Sequence, residues 1–124
     1  MKKIIFMLLI VFSSLSFTKE MVGNASWYGE SWNGIKTANG EIFNSAKMTC
    51  ASNSHKMGTN IEVTNLSNGK SIVCKVNDTG GFAKYGRILD MSKGAFSKIG
   101  DVNKGVIKVK IRVVKRSEEH TSEL

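Results

Sequence analysis

IEVTNLSNGKSIVCKV, residues 61–76, places an Asn-Gly pair between two short stretches of strand-forming residues. The first stretch, Ile61–Leu66, alternates apolar and polar side chains, and Asn-Gly is a strong local signal for a hairpin turn. The second stretch, Ser71–Val76, has the composition of a returning strand. The pattern therefore predicts an antiparallel β-hairpin that turns at residues 67–69.

Further strand patterns lie on both sides of this hairpin. Val106–Val114 has apolar residues at every second position and basic residues between them, which predicts one buried face and one wet, basic face. Shorter patterns cover residues 22–28 and 87–89. About six short strands, with many glycines and no proline, favour a small closed barrel, because closure leaves no exposed strand edge.

One helix of two to three turns is predicted over residues 91–99. Asp90 or Ser92 is a suitable N-cap, and Gly100 is suited to its end. Its apolar spacing predicts an inward face of Ala95, Phe96 and Ile99.

The first 18 residues have the order of a secretory signal peptide. Lys2 and Lys3 precede an apolar run at residues 4–12, and small polar residues follow. A membrane anchor is the alternative, but a spanning helix needs roughly 20 apolar residues. We therefore expect cleavage after Ser16 or Thr18 and export to the periplasm or cell envelope. With no Cys near the cleavage region, we expect no lipid anchor and no stable membrane insertion.

The last residues, RSEEHTSEL at 116–124, interrupt the basic strand pattern. They resemble the in-frame translation of a common sequencing adapter; the alternative is a short disordered tail. Either way we assign them no function, which removes His120 as a ligand or base. The remaining residues, 21–115, have the length of one domain.

The formal net charge of +8 favours an anionic partner, such as a wall polymer outside the membrane. The alternative is that the lysines only keep a small barrel soluble. Export, and the lack of any nucleic-acid-binding motif, argue against nucleic acid. We expect a monomer that needs no cofactor.

The two cysteines, Cys50 and Cys74, both lie in apolar or strand-like surroundings. In an exported protein they are candidates for a disulfide, and the alternative is two buried free thiols. Their spacing does not fit a zinc site, so we predict no metal.

Several motifs in fixed order resemble those of the rare lipoprotein A family. They are GNASWYG at 23–29, TANGEIF at 37–43, MTCA at 48–51, the hairpin from Gly58, VND at 76–78 and RILDMS at 87–92. The resemblance implies a mainly β, six-stranded double-psi β-barrel with one or two short helices. It also implies a glycan-binding groove and lytic transglycosylase activity on peptidoglycan. That activity cuts the bond between N-acetylmuramic acid and N-acetylglucosamine and leaves a 1,6-anhydro end.

By position, the resemblance puts the family's functional acids on Glu41 and Asp78. Asp78 follows an apolar strand and would be the general acid; the alternative is an Asx turn with Gly80. Glu41 follows a turn and would stabilise charge on the sugar or orient a hydroxyl; the alternative is a surface carboxylate. We expect Asp90 to cap the helix or pair with Arg87 and not to catalyse.

Three aromatic residues lie within six positions, and flat rings suit sugar faces. Trp27 and Tyr28 point to opposite sides of a strand, so we place Tyr28 and Trp32 near the groove. Ser52, Asn77 and Arg87 complete the predicted substrate-binding set.

The sequence departs from the family pattern at two site positions. Ser52 stands where the family has a His, and Asp78-Thr-Gly-Gly replaces Asp-Arg-Gly-Pro. We expect Ser52 to donate one hydrogen bond to Asp78, and His55 to point elsewhere. The departures leave open a non-catalytic, expansin-like glycan-binding barrel, and a secreted inhibitor or effector is a third hypothesis.

Overall fold

The computed structural model describes residues 20–114. The predicted signal segment, its cleavage site and the tail with His120 lie outside them. The elements are β1 (Glu20–Tyr28), β2 (Thr49–Ala51), β3 (Asn60–Asn65), β4 (Ser71–Asp78), β5 (Arg87–Ser92), α1 (Lys93–Ile99) and β6 (Ile107–Val113). Short 3-10 turns occur at Glu30–Trp32, Phe82–Tyr85 and Val102–Lys104. In this part of the chain, no helix has the length and apolar composition needed to cross a membrane.

The strands form a closed barrel in the order β1-β5-β2-β4-β3-β6, which confirms the predicted six-stranded closed barrel. Two neighbouring pairs, β1 with β5 and β2 with β4, are parallel, and the other pairs are antiparallel. The predicted hairpin is confirmed as β3 and β4, with Ile61 opposite Cys74 and Val63 opposite Ile72.

The inward faces follow the predicted alternation. Ile107, Val109 and Ile111 of β6 are buried, whereas Lys108 between them is exposed. On α1, the predicted face of Ala95, Phe96 and Ile99 is buried and packs on the barrel core. Burial of these apolar side chains from several strands and one helix supplies the main free energy of folding.

The predicted start of the helix is wrong by two residues. Met91 and Ser92 belong to β5, where they pair with Trp27 and Tyr28 of β1, so α1 begins at Lys93. Ser92 is the N-cap, because its hydroxyl accepts a hydrogen bond from the backbone N–H of Ala95 at 3.1 Å. Gly100 ends the helix in an extended conformation, with φ of −155°.

Strand β2 has only three residues, which is too short for a recognisable alternation, and the sequence did not predict it. It lies between β4 and β5. Cys50 of β2 and Cys74 of β4 form a disulfide inside the barrel, with their Cα atoms 6.1 Å apart. Both side chains are fully buried, so this bond links two core strands directly.

The connection between β1 and β2 includes residues 37–48, which we call the covering segment. It lies against both β4 and the helix. The Asn39 N–H donates to the Asn77 carbonyl at 3.3 Å, and the Gly94 N–H donates to the Ser45 carbonyl at 2.8 Å. A Cβ at Gly94 would lie only 2.8 Å from that carbonyl oxygen, so the close approach requires glycine.

Candidate functional site

Asp78, the last residue of β4, lies in an open groove of about 390 Å³. Other residues of this Asp78 groove include Tyr28, Trp32, Tyr85, Arg87 and Asp90. They come from β1, the two neighbouring 3-10 turns and β5. The parallel β1–β5 pair therefore brings residues distant in sequence to one end of β4.

The Asp78 carboxylate is fixed through one of its two oxygens. Oδ1 accepts hydrogen bonds from the backbone N–H groups of Ala38, at 3.0 Å, and Thr79, at 2.9 Å. No residue in 20–114 forms an ion pair with Asp78 or a hydrogen bond with its Oδ2. This arrangement orients the carboxyl group and leaves one oxygen for a ligand.

The predicted alternative, an Asx turn between Asp78 and Gly80, is wrong. The Gly80 N–H donates instead to Oδ1 of Asn53 at 3.2 Å, and Nδ2 of Asn53 donates to the Gly80 carbonyl at 2.8 Å. The loop after Asp78 is thus held by a side chain from the loop after β2. Sequence reasoning missed Asn53, because no local pattern links it to Gly80.

Ser52 does not donate to the Asp78 carboxylate, so that prediction is wrong. Its hydroxyl lies 2.7 Å from Nδ1 of His55 and accepts a hydrogen bond from the Ser54 N–H at 3.1 Å. Only its backbone N–H reaches Asp78, donating to the carbonyl oxygen at 2.9 Å. Ser52 is 1% exposed and does not line the Asp78 groove. Burial lowers the pKa of His55, which favours a neutral imidazole at neutral pH.

Tyr28 and Trp32 line the Asp78 groove, whereas Trp27 lies on the other side of β1. Tyr28 stacks on Phe43, with ring centroids 4.6 Å apart, and meets Trp32 edge to face at 6.4 Å. Trp27 packs against the core and donates from Nε1 to the Val102 carbonyl at 3.1 Å. The alternation of β1 therefore separates a groove aromatic from a core aromatic.

The hydroxyl of Tyr28 is buried and has no hydrogen-bond partner among residues 20–114. Burial, and then the nearby carboxylates of Asp78 and Asp90, raise the pKa of Tyr28 above its ordinary value. The hydroxyl therefore keeps its proton at physiological pH.

Arg87 and Asp90 form an ion pair in the wall of the groove. Nε of Arg87 lies 2.9 Å from Oδ1 of Asp90, and Nη2 of Arg87 lies 3.3 Å from Oδ2. Arg87 thereby offsets the charge of Asp90, whereas Asp78 has no ion-pair partner within residues 20–114. The Arg87 guanidinium also lies 5.5 Å from the centre of the Tyr85 ring. Tyr85 is 67% exposed, and sequence reasoning missed it because it follows no strand or helix period.

Glu41 lies in a second cavity, which we call the Glu41 depression. This cavity, of about 800 Å³, lies between the covering segment and the outer faces of β2 and β4. Glu41 accepts hydrogen bonds from Nζ of Lys75 at 2.5 Å and from Nδ2 of Asn77 at 3.1 Å. These two bonds, that of Lys75 first, lower the pKa of Glu41. Glu41 is therefore a carboxylate at neutral and mildly acidic pH.

The two predicted acids thus occupy adjacent cavities. Asn77 belongs to the Glu41 depression and Asp78 to the Asp78 groove, although the two residues are consecutive in β4. The turn at Asn39-Gly40 lies over this strand end, with Asn39 bonded to the Asn77 carbonyl and Ala38 bonded to the Asp78 carboxylate. Within residues 20–114, no three His, Cys, Asp or Glu side chains are placed to hold a metal ion.

Comparisons with solved structures place this barrel among known folds. It superposes on the Streptomyces papain inhibitor with a TM-score of 0.63 and 22% identity, covering 78% of this chain and 96% of the inhibitor. It also superposes on a mutant Clavibacter michiganensis expansin in complex with cellohexaose, with a TM-score of 0.64 and 24% identity. That match covers 78% of this chain and 51% of the expansin. These likenesses confirm the predicted double-psi β-barrel fold.

Sequence relatives identify the family. The chain is 46% identical over 92 residues to the probable endolytic peptidoglycan transglycosylase RlpA of Synechocystis sp., a match that covers 74% of this chain and 28% of the relative. It is also 46% identical over 92 residues to the endolytic peptidoglycan transglycosylase RlpA of Vibrio cholerae, covering 74% and 35%. The chain thus spans about a third or less of the length of these relatives. Residues 20–111 match the family model described as lytic transglycolase. The chain therefore belongs to the lytic transglycolase family, to which the predicted likeness to rare lipoprotein A domains had pointed.

Proposed function

We propose that this protein is an endolytic peptidoglycan lytic transglycosylase that acts in cell-wall organisation. Its substrate would be the glycan strand, cut between N-acetylmuramic acid and N-acetylglucosamine to leave a 1,6-anhydro end. The observation that carries the proposal is the Asp78 carboxyl group, held through Oδ1 by two backbone N–H groups with its other oxygen open to an aromatic-lined groove. Family membership and the names of the relatives support it.

Asp78 would act first as an acid and then as a base. Its carboxyl proton passes to the glycosidic oxygen as the bond to C1 of the muramic acid breaks and positive charge develops on that sugar. The C6 hydroxyl of the same sugar then bonds to C1 and gives its proton to the Asp78 carboxylate. The products are a 1,6-anhydro sugar and a free hydroxyl on the leaving sugar, and Asp78 regains its proton.

Glu41 has a different role in this scheme. Because Lys75 and Asn77 keep its pKa low, it carries negative charge throughout and does not donate the proton. An ionised carboxylate near the strand end can stabilise positive charge on the sugar ring. Lys75 limits that effect, because its positive charge partly offsets the negative charge of Glu41.

The expected location of the protein is the cell envelope, and its expected partner is the cell wall. A secretory signal at residues 1–18 would export the protein as a monomer to the periplasm or cell envelope, where the glycan strands lie. The net charge of +8 suits the anionic wall.

A non-catalytic, expansin-like glycan-binding barrel is the second candidate. The observation that favours it is the environment of Ser52, whose hydroxyl is turned to His55. Within residues 20–114, no imidazole forms a hydrogen bond with the Asp78 carboxylate.

Incubation of the purified protein with glycan strands stripped of stem peptides separates the two candidates. An enzyme releases 1,6-anhydro products, and Asp78→Asn abolishes their release while glycan binding remains. Binding without products in both the wild type and the variant would establish the binding module instead.

A further inference from the structure

The Glu41 depression is built from outward-facing side chains of two neighbouring strands. Thr49 of β2 pairs in register with Lys75 of β4, and Asn77 follows two positions later on the same face of β4. Their neighbours along the two strands, Cys50, Cys74 and Val76, point into the core. Thr49 and Asn77 point away from the core, yet they are 8% and 2% exposed. They are buried where the covering segment lies against the barrel.

Thr49 and Asn77 each carry a buried polar atom that is unpaired within the described part of the chain. Oγ1 of Thr49 and Oδ1 of Asn77 are buried and form no hydrogen bond with any residue in 20–114. The orientation of the Asn77 amide is set by Glu41, because a carboxylate paired with Lys75 can only accept, so Nδ2 must face it. The opposite atom, Oδ1, is therefore a hydrogen-bond acceptor. A buried polar atom without a partner is costly, typically about 1–3 kcal/mol, so such atoms are a place to look for a ligand or bound water.

We propose that the Glu41 depression binds the acetamido group of an N-acetylated sugar. Thr49 Oγ1 is a donor and acceptor, and Asn77 Oδ1 is an acceptor. An acetamido group has one N–H and one carbonyl oxygen. Its N–H would donate to Asn77 Oδ1, and its carbonyl would accept from the Thr49 hydroxyl. The apolar side chains of Ile42 and Met48 in the same wall suit its methyl group.

The charges around the depression favour the same ligand. Lys47 and Lys75 both line it, and Lys75 is paired with Glu41 whereas Lys47 has no ion-pair partner within residues 20–114. The neutral acetamido group meets no repulsion there. A de-N-acetylated sugar carries a protonated amine, which has no carbonyl oxygen to accept from the Thr49 hydroxyl and which the unpaired charge of Lys47 repels. A plain glucose unit has a hydroxyl at this position and would reach only one of the two oxygens.

This inference rests on the proposed function only in that both involve the same glycan. Asn77 and Asp78 are consecutive residues, so their Cα atoms lie about 3.8 Å apart. A strand that presents a scissile bond to Asp78 would pass over the Asn39-Gly40 turn and place a neighbouring sugar at the depression. The depression would then select N-acetylated glycan and fix its register relative to the acid.

The test uses the full chain with Asp78→Asn, so that ligands are bound without being cut. Calorimetry measures the binding of three six-sugar probes: N-acetylglucosamine oligomer, the same oligomer after de-N-acetylation, and cellohexaose. We expect the N-acetylated probe to bind at least about tenfold more tightly than the other two. Adding Thr49→Val should weaken its binding about tenfold, the equivalent of one buried hydrogen bond, and should change the affinities for the other two probes less. Thr49→Ser keeps the hydroxyl and should retain most of the affinity.

Two further measurements keep the result interpretable. Thr49→Val replaces a partnerless hydroxyl by a methyl of similar size, so urea unfolding should show no loss of stability. Thr64→Val, the same change on the outer face of β3, should leave all three affinities unchanged. The inference would be overturned by equal binding of the three probes or by no binding of the N-acetylated probe. It would also be overturned if Thr49→Val had no effect, because the two oxygens would then bind only water. If wild type binds the N-acetylated probe as expected but releases no anhydro products from glycan strands, the acetamido site stands and the proposed activity fails.

Discussion

Asn53 binds both backbone polar groups of Gly80 through its side-chain amide, donating to the carbonyl at 2.8 Å and accepting from the N–H at 3.2 Å. Gly80 lies two residues after Asp78, and the Ser52 N–H donates to the Asp78 carbonyl at 2.9 Å. The loop after β2 therefore holds the strand end that carries the acid. This support reaches Asp78 through the backbone of its loop. In this site Ser52 stands where the family has a His.

Asn53→Ala should lower turnover about tenfold, because the Asp78 loop loses two bonds and the carboxyl group samples unproductive orientations. The unfolding free energy should fall by only about 1 kcal/mol, since both bonds are exposed to solvent. Anhydro-product release and urea unfolding measure the two effects.

Asn68→Ala is the matched control for this variant. Its amide also forms two backbone bonds, to the Ile99 carbonyl and from the Lys70 N–H, but it lies on the β3–β4 turn away from the groove. We expect a similar loss of stability with unchanged turnover. Equal turnover losses in both variants would mean that Asn53 acts only through overall stability.

The sequence was a good guide to the parts of the fold that depend on local periodicity. The alternation in β6, the hairpin turn and the inward face of α1 each depend on residues close in the chain, so the pattern predicted them. Strand β2 was missed because three residues carry no period. The start of α1 was misplaced because pairing with β1 holds Met91 and Ser92 in a strand, and that pairing is not local.

For the candidate site too, the sequence indicated features carried by local motifs but not the contacts between distant segments. The motifs picked out Asp78, Glu41, Tyr28 and Arg87, and they led us to expect the pairing of Arg87 with Asp90, but not the partners of Asp78 and Glu41. Ser52 sits next in sequence to the residues that line the groove, yet its hydroxyl turns inward to His55. Bonds between segments distant in the chain, such as Asn53 to Gly80 and Lys75 to Glu41, leave no pattern in a single sequence.

Lys75→Met should raise the pKa of Glu41 toward the ordinary value for a glutamate, although the hydrogen bond from Asn77 still lowers it. The cause is loss of the hydrogen bond and charge that hold this pKa low in the wild type. Nuclear magnetic resonance of the Glu41 side-chain carboxyl carbon during an acid titration measures the change. Glu62→Gln, which removes a carboxylate paired with Arg112 on another strand, is the control and should leave the Glu41 titration unmoved.

The same pairing makes stability depend on pH. Because the pKa of Glu41 is lower in the folded than in the unfolded chain, its contribution is present above the unfolded pKa of about 4.3. It is lost as the pH falls through the lower, folded pKa. In Lys75→Met the loss of stability at acidic pH that comes from Glu41 should become smaller, because only the hydrogen bond from Asn77 remains. The contribution is small, since both side chains are about two-fifths exposed. An acid unfolding profile identical to that of the wild type would show that the pair adds nothing to stability.

Tyr85→Ala should weaken binding of glycan strands by the Asp78→Asn protein about fivefold. The exposed ring lies in the Asp78 groove, with the Lys84 and Arg87 cations each 5.5 Å from its centre, and it presents a flat face to a sugar. Tyr85→Phe should bind almost as well as the parent, because the ring face is retained. Val22→Ala, another exposed apolar residue outside both cavities, should have no effect. Loss of binding in the Phe variant would instead assign the interaction to the hydroxyl.

Replacing both cysteines, Cys50→Ala with Cys74→Ala, should lower the free energy of unfolding by about 3 kcal/mol. The disulfide closes a loop with a sequence separation of 24 residues, which restricts the unfolded chain by about this amount, and it joins β2 to β4 next to the strand end that carries Asp78. Urea unfolding with and without a reducing agent measures the effect. The reducing agent should destabilise the wild type and leave the double variant unchanged. If it changed neither protein, the purified protein would hold two buried thiols, and strand β2 would depend on its hydrogen bonds and packing alone.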